Sequence, residues 1–524
     1  MDLQLLRPWE EGFTLPETFS MVSLLLERHV EEGRGDRVAI YCDDERVTYR
    51  QLWELTNRTG NALQGLGLEP EQRVMLLLSD GPEFIATFLG AMKMGAVPLP
   101  INTLATPADL TYFLNDSRAR IVVVNEENLP KIEAIRGQCP FLKQVVVVGA
   151  PGRNPSWQAL VASSSPTLDL FPSHRDDASY WLYSSGTTGQ PKGVVHLHQD
   201  LVHCVETWAE HVAAMTPDDI VFCIPRLFFS YGLNNALYLP LYYGAAVALI
   251  RERPEPHRVA EAVRRFRPTL FFAVPTAYGQ GLRALESGDV VPDFSSVRCC
   301  LSAGEALPWP LFERWRNHFG QEILDGLGST EVGWIYVSNL PGQVKPGSSG
   351  RPLPGYQVRV VDDDGREVPP GEMGDLMVSS KSLAAHYWNK RERTRQTFVG
   401  DWMRTGDRYR RDEEGYLFYG GRSDDVFKVS GIWVSPMEVE ATLLEHDAVA
   451  EVAVVGHEDA DGLVKPKAFV SLKDGRAAGP ELVLALQNHV KQHLAPYKYP
   501  RWIEFVPDLP KTATGKIQRY KLRG

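Results

Sequence analysis

Residues 183–195 read YSSGTTGQPKGVV, a run of hydroxyl side chains and three glycines closed by Lys192 and set between two apolar stretches. Glycines let backbone N–H groups come close to an anion, Ser and Thr hydroxyls donate to it, and a lysine neutralises its charge. Those are the requirements of a triphosphate or pyrophosphate cradle. The spacing differs from the GxxxxGK[ST] loop, because Gly193 rather than Ser or Thr follows Lys192.

On both sides of this loop the chain alternates helical and strand patterns. YRQLWELTNRTGNALQGLG (49–67) has apolar residues at a helical spacing, with Thr48 placed to cap it. Segments 73–78, 120–125 and 144–149 read as short buried strands, and 81–95 as a helix ending at Gly95. Continuous Val/Ile/Leu strands separated by helices imply parallel sheets covered on both faces, and the pattern returns from 180 to 330. Between 340 and 425 Gly, Pro and Asp punctuate short alternating strands, the texture of hairpins in a small β-barrel or sheet. The last hundred or so residues follow as a compact α+β unit, with helices expected over 436–446 and 481–494. The expected fold class is therefore α/β. A large N-terminal domain (1–422) holds two parallel αβ subdomains and a small β-barrel, and a small mobile α+β domain (423–524) follows a glycine-flanked joint at 422–426.

Composition narrows the partners. The 524 residues carry 55 basic and 66 acidic side chains, a net charge of −11, which argues against nucleic acid as a partner. The longest apolar run, 236–250, is too short for a bilayer span and reads as buried strand and turn interrupted by Pro240 and Gly244, so no membrane partner is expected. The N-terminus lacks a basic leader with an apolar run, and the six cysteines are scattered without a CxxC pair, which suits buried reduced thiols in the cytoplasm. Among the histidines, His196 and His198 follow a strand, and His489 and His493 stand at i, i+4 on a helix. Two such ligands without a third read as surface residues, so no metal beyond a nucleotide-bound Mg²⁺ is expected.

Further motifs lie hundreds of residues away: SAGEALP (302–308), DGLGSTE (325–331), MRTGDRYRR (403–411), GRSDD (421–425) and PKTATGKIQR (510–519). With the glycine loop they resemble, in order and over essentially the whole chain, the signature segments of adenylate-forming enzymes: acyl- and aryl-CoA ligases, luciferases and peptide-synthetase adenylation domains. The resemblance implies a phosphate loop of Ser184, Ser185, Gly186, Thr187, Thr188, Gly189 and Lys192. It implies nucleotide contacts at Gly304, Glu305, Asp325, Gly326, Asp407 and Arg422. Lys516, Thr330 and Glu331 would be catalytic, with Glu331 also holding Mg²⁺. The chemistry suits these types: a carboxylate for the metal, a hydroxyl for the α-phosphate, two acceptor oxygens on Asp407 for a ribose diol, and a mobile ammonium to bridge two anions. Asp424 matches the family's hinge, and Lys428 and Gly431 fall on the side facing CoA.

Within the family the nearest likeness is to benzoate-type aryl-CoA ligases, carried by residues 177–200, LFFSYGLNN (227–235) and GRSDDVFKVSGIWVSPMEVE. It places Phe229, Ser230, Tyr231, Gly328, Trp334 and Ile335 at the acid pocket. Gly333, Trp334 and Ser230 depart from that subgroup's pattern, so the pocket is reshaped for a benzoate-like or bulky cyclic acid. The implied partners are a carboxylic acid, ATP with Mg²⁺, and CoA, on a monomer or homodimer. Two alternatives share the same motifs: a free-standing enzyme that loads a carrier protein, and a ligase specialised for one half-reaction.

Overall fold

A computed structural model describes residues 13–184, 190–423, 425, 427–429, 432–459, 463–511 and 517–523. They fall into two compact units. The first takes residues up to 346 with 350–357 and 379–402. The second takes 347–349, 358–378 and 403 onward.

In the first unit, a four-stranded sheet runs in the order Val97–Pro100, Arg73–Leu77, Ile121–Asn125, Gln144–Val148, with every pairing parallel. Its strands are buried almost throughout, as near-continuous aliphatic runs require when helices cover both faces. The helix Tyr49–Gly65 starts at Thr48 with a capping box: the Thr48 hydroxyl accepts from the Gln51 amide, and the Gln51 side chain accepts from the Thr48 amide. This helix packs on Pro82–Lys93 through a glycine contact. A Cβ on Gly90 would lie 2.8 Å from the Thr56 carbonyl oxygen and 2.9 Å from the Gly60 nitrogen, so the two helix backbones nearly touch.

A larger sheet carries the second αβ layer. Its central strands Ile323–Gly328, Cys299–Ala303, Leu270–Ala273, Ile220–Cys223, Ala246–Leu249 and Val38–Cys42 are parallel, and antiparallel strands close both edges. The aromatic residues Phe271, Tyr278, Phe294 and Trp315 pack one face. The run 236–250 differs from the expected strand and turn. It continues a helix through Tyr238, forms a further helix Leu239–Tyr243 with Pro240 in its first turn, reverses at Gly244 and only then becomes strand. Pro240 does not break the segment, because it falls directly after the π-helical turn Asn234–Tyr238, where the wider winding accommodates a residue without an N–H.

The strands that flank the glycine loop belong to neither parallel sheet. Ala178–Ser184 and Lys192–Leu197 pair antiparallel, with Ser184 opposite Lys192, and His386–Tyr387 adds a third antiparallel strand.

The strands Met373–Ser379, Trp402–Arg411 and Leu417–Arg422, which belong to the second unit apart from Ser379 and Trp402, pair antiparallel in keeping with the hairpin texture, and Gln357–Val361 lies beside the first of them. They group with an α+β layer in which Val449–Glu458, Val464–Leu472 and Trp502–Phe505 carry the helices Pro436–Leu444 and Pro480–His493. All six cysteines are free and buried, as expected. Among the described residues no helix is long and apolar enough to cross a membrane.

Gly90→Ala should destabilise the first unit by about 1–3 kcal/mol, because the new methyl group has no room between the two helix backbones. Urea denaturation followed by tryptophan fluorescence measures this; an unchanged midpoint would show that the helices separate freely.

Candidate active site

The three-stranded antiparallel sheet places three side chains around one carboxylate. Ser184 ends one strand, Lys192 begins the next, and Tyr387 lies on the third. Glu331 follows Ile323–Gly328 of the large sheet, and its backbone carbonyl accepts from the Ala384 amide at 2.8 Å. Its Oε1 accepts from the Tyr387 hydroxyl at 2.9 Å and the Ser184 hydroxyl at 3.3 Å, and lies 3.5 Å from Lys192 Nζ. The Lys192 ammonium also sits 4.2 Å from the centre of the Tyr387 ring.

Burial alone would push the Glu331 carboxyl upward. The Lys192 charge and the donors Tyr387 and Ser184 together outweigh it and hold the carboxyl below its usual range. The Tyr387 phenol is pushed the other way, by its own burial and by the carboxylate beside it. Glu331 is thus an enclosed carboxylate that stays charged. Such a group, next to a glycine loop, suits a divalent cation bound to polyphosphate.

Sequence reasoning missed the support beneath this cluster. His196 is fully buried; its Nε2 donates to the Thr330 carbonyl at 2.6 Å, and its Nδ1 lies 3.0 Å from Asp200 Oδ2. The ring stacks on Tyr180, its cross-strand partner, with centroids 5.0 Å apart. Burial pushes the Asp200 carboxyl upward against the pull of His196. A usable signal was present: His196 continues the inward-facing run of KGVVHL, and Asp200 stands four residues on.

Residues assigned to the acid pocket meet around the turn after Glu331. The Ser230 hydroxyl lies 3.5 Å from the Gly333 carbonyl oxygen, which also accepts from the Asn234 amide. A Cβ on Gly328 would stand 2.7 Å from the Trp334 carbonyl oxygen, and Ile335 pairs with Gly328 across the strands. Gly333 has φ +88°, a left-handed conformation, which accounts for the glycine that departs from the subgroup's pattern. The Trp334 indole is 3% exposed and stacks on Trp208 at 6.3 Å. Tyr231 stands edge-on to Phe272 at 6.4 Å, its phenol pushed well upward by burial, and Phe229 packs on Phe228 at 4.6 Å.

Of the nucleotide-contact candidates, Asp325 and Gly326 lie on the strand Ile323–Gly328, and Gly304 and Glu305 directly follow Cys299–Ala303. The two strands are paired neighbours, so the candidates share one edge. Thr276 donates to Glu305 Oε2 at 2.9 Å, and burial pushes the Asp325 carboxyl well above its usual range. In the second unit, Asp407 and Arg422 sit directly opposite on paired strands and are joined by a 2.9 Å ion pair. Beside the expected hinge, Asp425 pairs with Arg523 and lies 3.8 Å from Arg519, which is bound at 2.7 Å to Glu440. Ser185, Gly186, Thr187, Thr188, Gly189, Asp424, Gly431 and Lys516 lie outside the described residues, as does the side chain of Lys428.

Comparison with known proteins follows the same outline. Residues 26–388 match the model of the AMP-binding enzyme family, and residues 438–516 match the AMP-binding enzyme C-terminal domain. A benzoate–CoA ligase from Thauera aromatica is 49% identical over 514 residues, covering 97% of this chain and 96% of that protein. The crystal structure of the anthranilate CoA ligase AuaEII in complex with anthranoyl-AMP superposes with a TM-score of 0.91 at 42% identity, covering 97% of each chain. That of a benzoate CoA ligase from Burkholderia xenovorans LB400 gives 0.87 at 42% identity, covering 97% of this chain and 100% of the other.

The ion pair predicts a pH-dependent stability. The depressed Glu331 carboxyl stabilises the fold above its ordinary value of 4.5, and that contribution fades as pH falls through the lower folded value. In Lys192→Met burial is less opposed and the carboxyl rises, so the variant should be markedly less stable than the parent near pH 7. The gap should close at acid pH, where both proteins hold Glu331 protonated. Denaturation midpoints across the pH range test this; a gap independent of pH would remove Glu331 as its cause.

Proposed function

The chain belongs to the AMP-binding enzyme family, and we propose that it is an aryl-CoA ligase acting on benzoate or a close benzoate-like acid. The observation that carries this reading is the enclosed, charged Glu331–Lys192 pair beside the glycine loop. The near-complete coverage by benzoate and anthranilate ligases supports the substrate class.

The reaction has two steps. A carboxylate oxygen of the acid attacks the α-phosphorus of ATP, and the bond to pyrophosphate breaks. The thiol of CoA then attacks the acyl carbon, and AMP leaves. In the first step two anions must approach, so the protein's work is charge compensation and alignment. Ser184, the loop 185–189 and Lys192 would cradle the outer phosphates, with Lys192 exchanging the Glu331 carboxylate for phosphate oxygens. Glu331 fits magnesium because it stays ionised within an enclosed site; bound with ATP, the metal would neutralise polyphosphate charge. Thr330, its carbonyl fixed by His196, would present its hydroxyl to the α-phosphate. Asp407 would take the ribose diol, with Arg422 alongside.

Lys516 would bridge the acid carboxylate and the phosphate during adenylation. The small domain, 423–524, would then turn about Asp424 to bring Lys428 and Gly431 to the CoA side. Ser230, Tyr231, Phe229, Gly328, Ile335 and the turn at Gly333–Trp334 would line the acid pocket. Six buried free thiols suit a reducing cytoplasm.

The deciding experiment is a panel of aryl acids with ATP and Mg²⁺, with and without CoA, followed by mass spectrometry of pyrophosphate, AMP and thioester. Benzoyl-CoA or a substituted analogue appearing with AMP is the expected result. Acyl-AMP accumulating without thioester would instead indicate a carrier-protein loader. Lys516→Ala should lower adenylation by about 10²–10³-fold while sparing thioester formation from supplied acyl-AMP. Equal loss of both half-reactions would reject the alternation.

A further inference from the structure

His489 and His493 face the same side of the helix Pro480–His493, and the fold supplies the third ligand that their spacing lacks. Glu445 follows directly on the helix Pro436–Leu444, and one donor atom each from Glu445, His489 and His493 lie within 4.8 Å of one another. Glu445 Oε2 is 4.0 Å from His489 Nε2, and the two imidazole rings are 4.4 Å apart, centre to centre. Ligands of a tetrahedral zinc ion stand about 3.3 Å apart, given zinc–nitrogen bonds of about 2.0–2.1 Å. A rotamer change of the exposed Glu445 side chain covers much of the difference.

Both rings are already oriented as metal ligands are. His493 Nδ1 donates to the His489 carbonyl at 2.8 Å, and His489 Nε2 donates to the Thr442 carbonyl at 3.0 Å. A carbonyl only accepts, so His489 Nδ1 and His493 Nε2 carry the lone pairs in the neutral state; Glu445, which stands on the Nε2 side of His489, joins them by turning its exposed side chain toward Nδ1. Fixing one nitrogen on a backbone carbonyl is the usual support behind a ligating histidine.

Two further observations favour a cation. Glu445 caps the C-terminus of one helix and His493 lies in the last turn of the other, so the negative ends of both helix dipoles converge here. A cleft of about 610 Å³ opens on the Glu445–His489 side of the group, away from His493, lined also by His446, Asp447 and Arg476, and leaves room there for a water or an anion as a fourth ligand.

We propose that Glu445, His489 and His493 bind a divalent transition-metal ion, zinc foremost, and clamp together the ends of two helices of the second unit. Two imidazoles and one carboxylate select zinc, cobalt, nickel or copper over magnesium and calcium, which prefer all-oxygen sites. The assignment stands apart from the ligase reading and needs none of its residues.

The test uses the full-length, untagged, chelator-treated protein in excess Mg²⁺, which keeps Glu331 out of the signal. Zn²⁺ titration by calorimetry should show a single saturable site, and Zn²⁺ should raise the thermal midpoint. His489→Gln and His493→Gln should each weaken binding by about 10–100-fold or more. Glu445→Gln, which retains both rings, should also weaken it while leaving the metal-free unfolding midpoint unchanged. Co²⁺ should give visible absorption bands that the double histidine variant loses. Absence of saturable Zn²⁺ binding, or equal binding by parent and double variant, would overturn the proposal.

Discussion

A carboxylate kept charged inside the protein is the constraint on which the rest of this structure turns. Enclosing Glu331 opposes its ionisation, and a lone carboxylate would respond by taking up a proton. It stays ionised because an ammonium and two hydroxyls, from three different strands, converge on one oxygen. A site built this way is poised toward cations. The same low-dielectric surroundings that make an unpaired Glu331 costly also strengthen its attraction for whatever positive charge replaces Lys192.

That demand accounts for the small antiparallel sheet between the parallel ones. A parallel βαβ crossover brings only one end of each strand to a given edge. An antiparallel pair, by contrast, puts Ser184 and Lys192 directly opposite each other at the mouth of the loop, and the short strand His386–Tyr387 adds the phenol. His196, deeper in the same sheet, reaches the Thr330 carbonyl and ties the segment carrying Glu331 to the hairpin facing it. Ser184 and Lys192, which flank the loop, are therefore tied to the segment of Thr330 and Glu331 by one connected set of polar contacts within the first unit.

What could be read in advance was what has a local cause. The helix at 49–65 announced itself through its apolar spacing and a threonine cap, and the buried strands through their length and branched side chains. The run 236–250 misled because an unbroken apolar stretch carries no period, so Pro240 looked like a break where the helix continues. The departures in the acid pocket were visible as letters but not as geometry. Gly333 is there because its backbone is left-handed, and Trp334 packs its indole against Trp208, a partner more than a hundred residues away. Motif order revealed the charged residues of the site; nothing local revealed that His196 holds one of them.

The histidines show why distance in sequence sets this limit. An i, i+4 pair on a helix is complete as local geometry yet chemically underdetermined, since surface helices carry such pairs for solubility alone. Whether it can hold a metal depends on a third donor and on which nitrogen of His489 is free, and both are settled by residues more than forty positions away: Glu445, and the carbonyl of Thr442. The same holds at the active site, where the Thr330 carbonyl, not the His196 side chain by itself, decides which imidazole nitrogen carries the proton. In both places the residue type states which chemistry is available, and a backbone carbonyl delivered by the fold selects the form in which it is used.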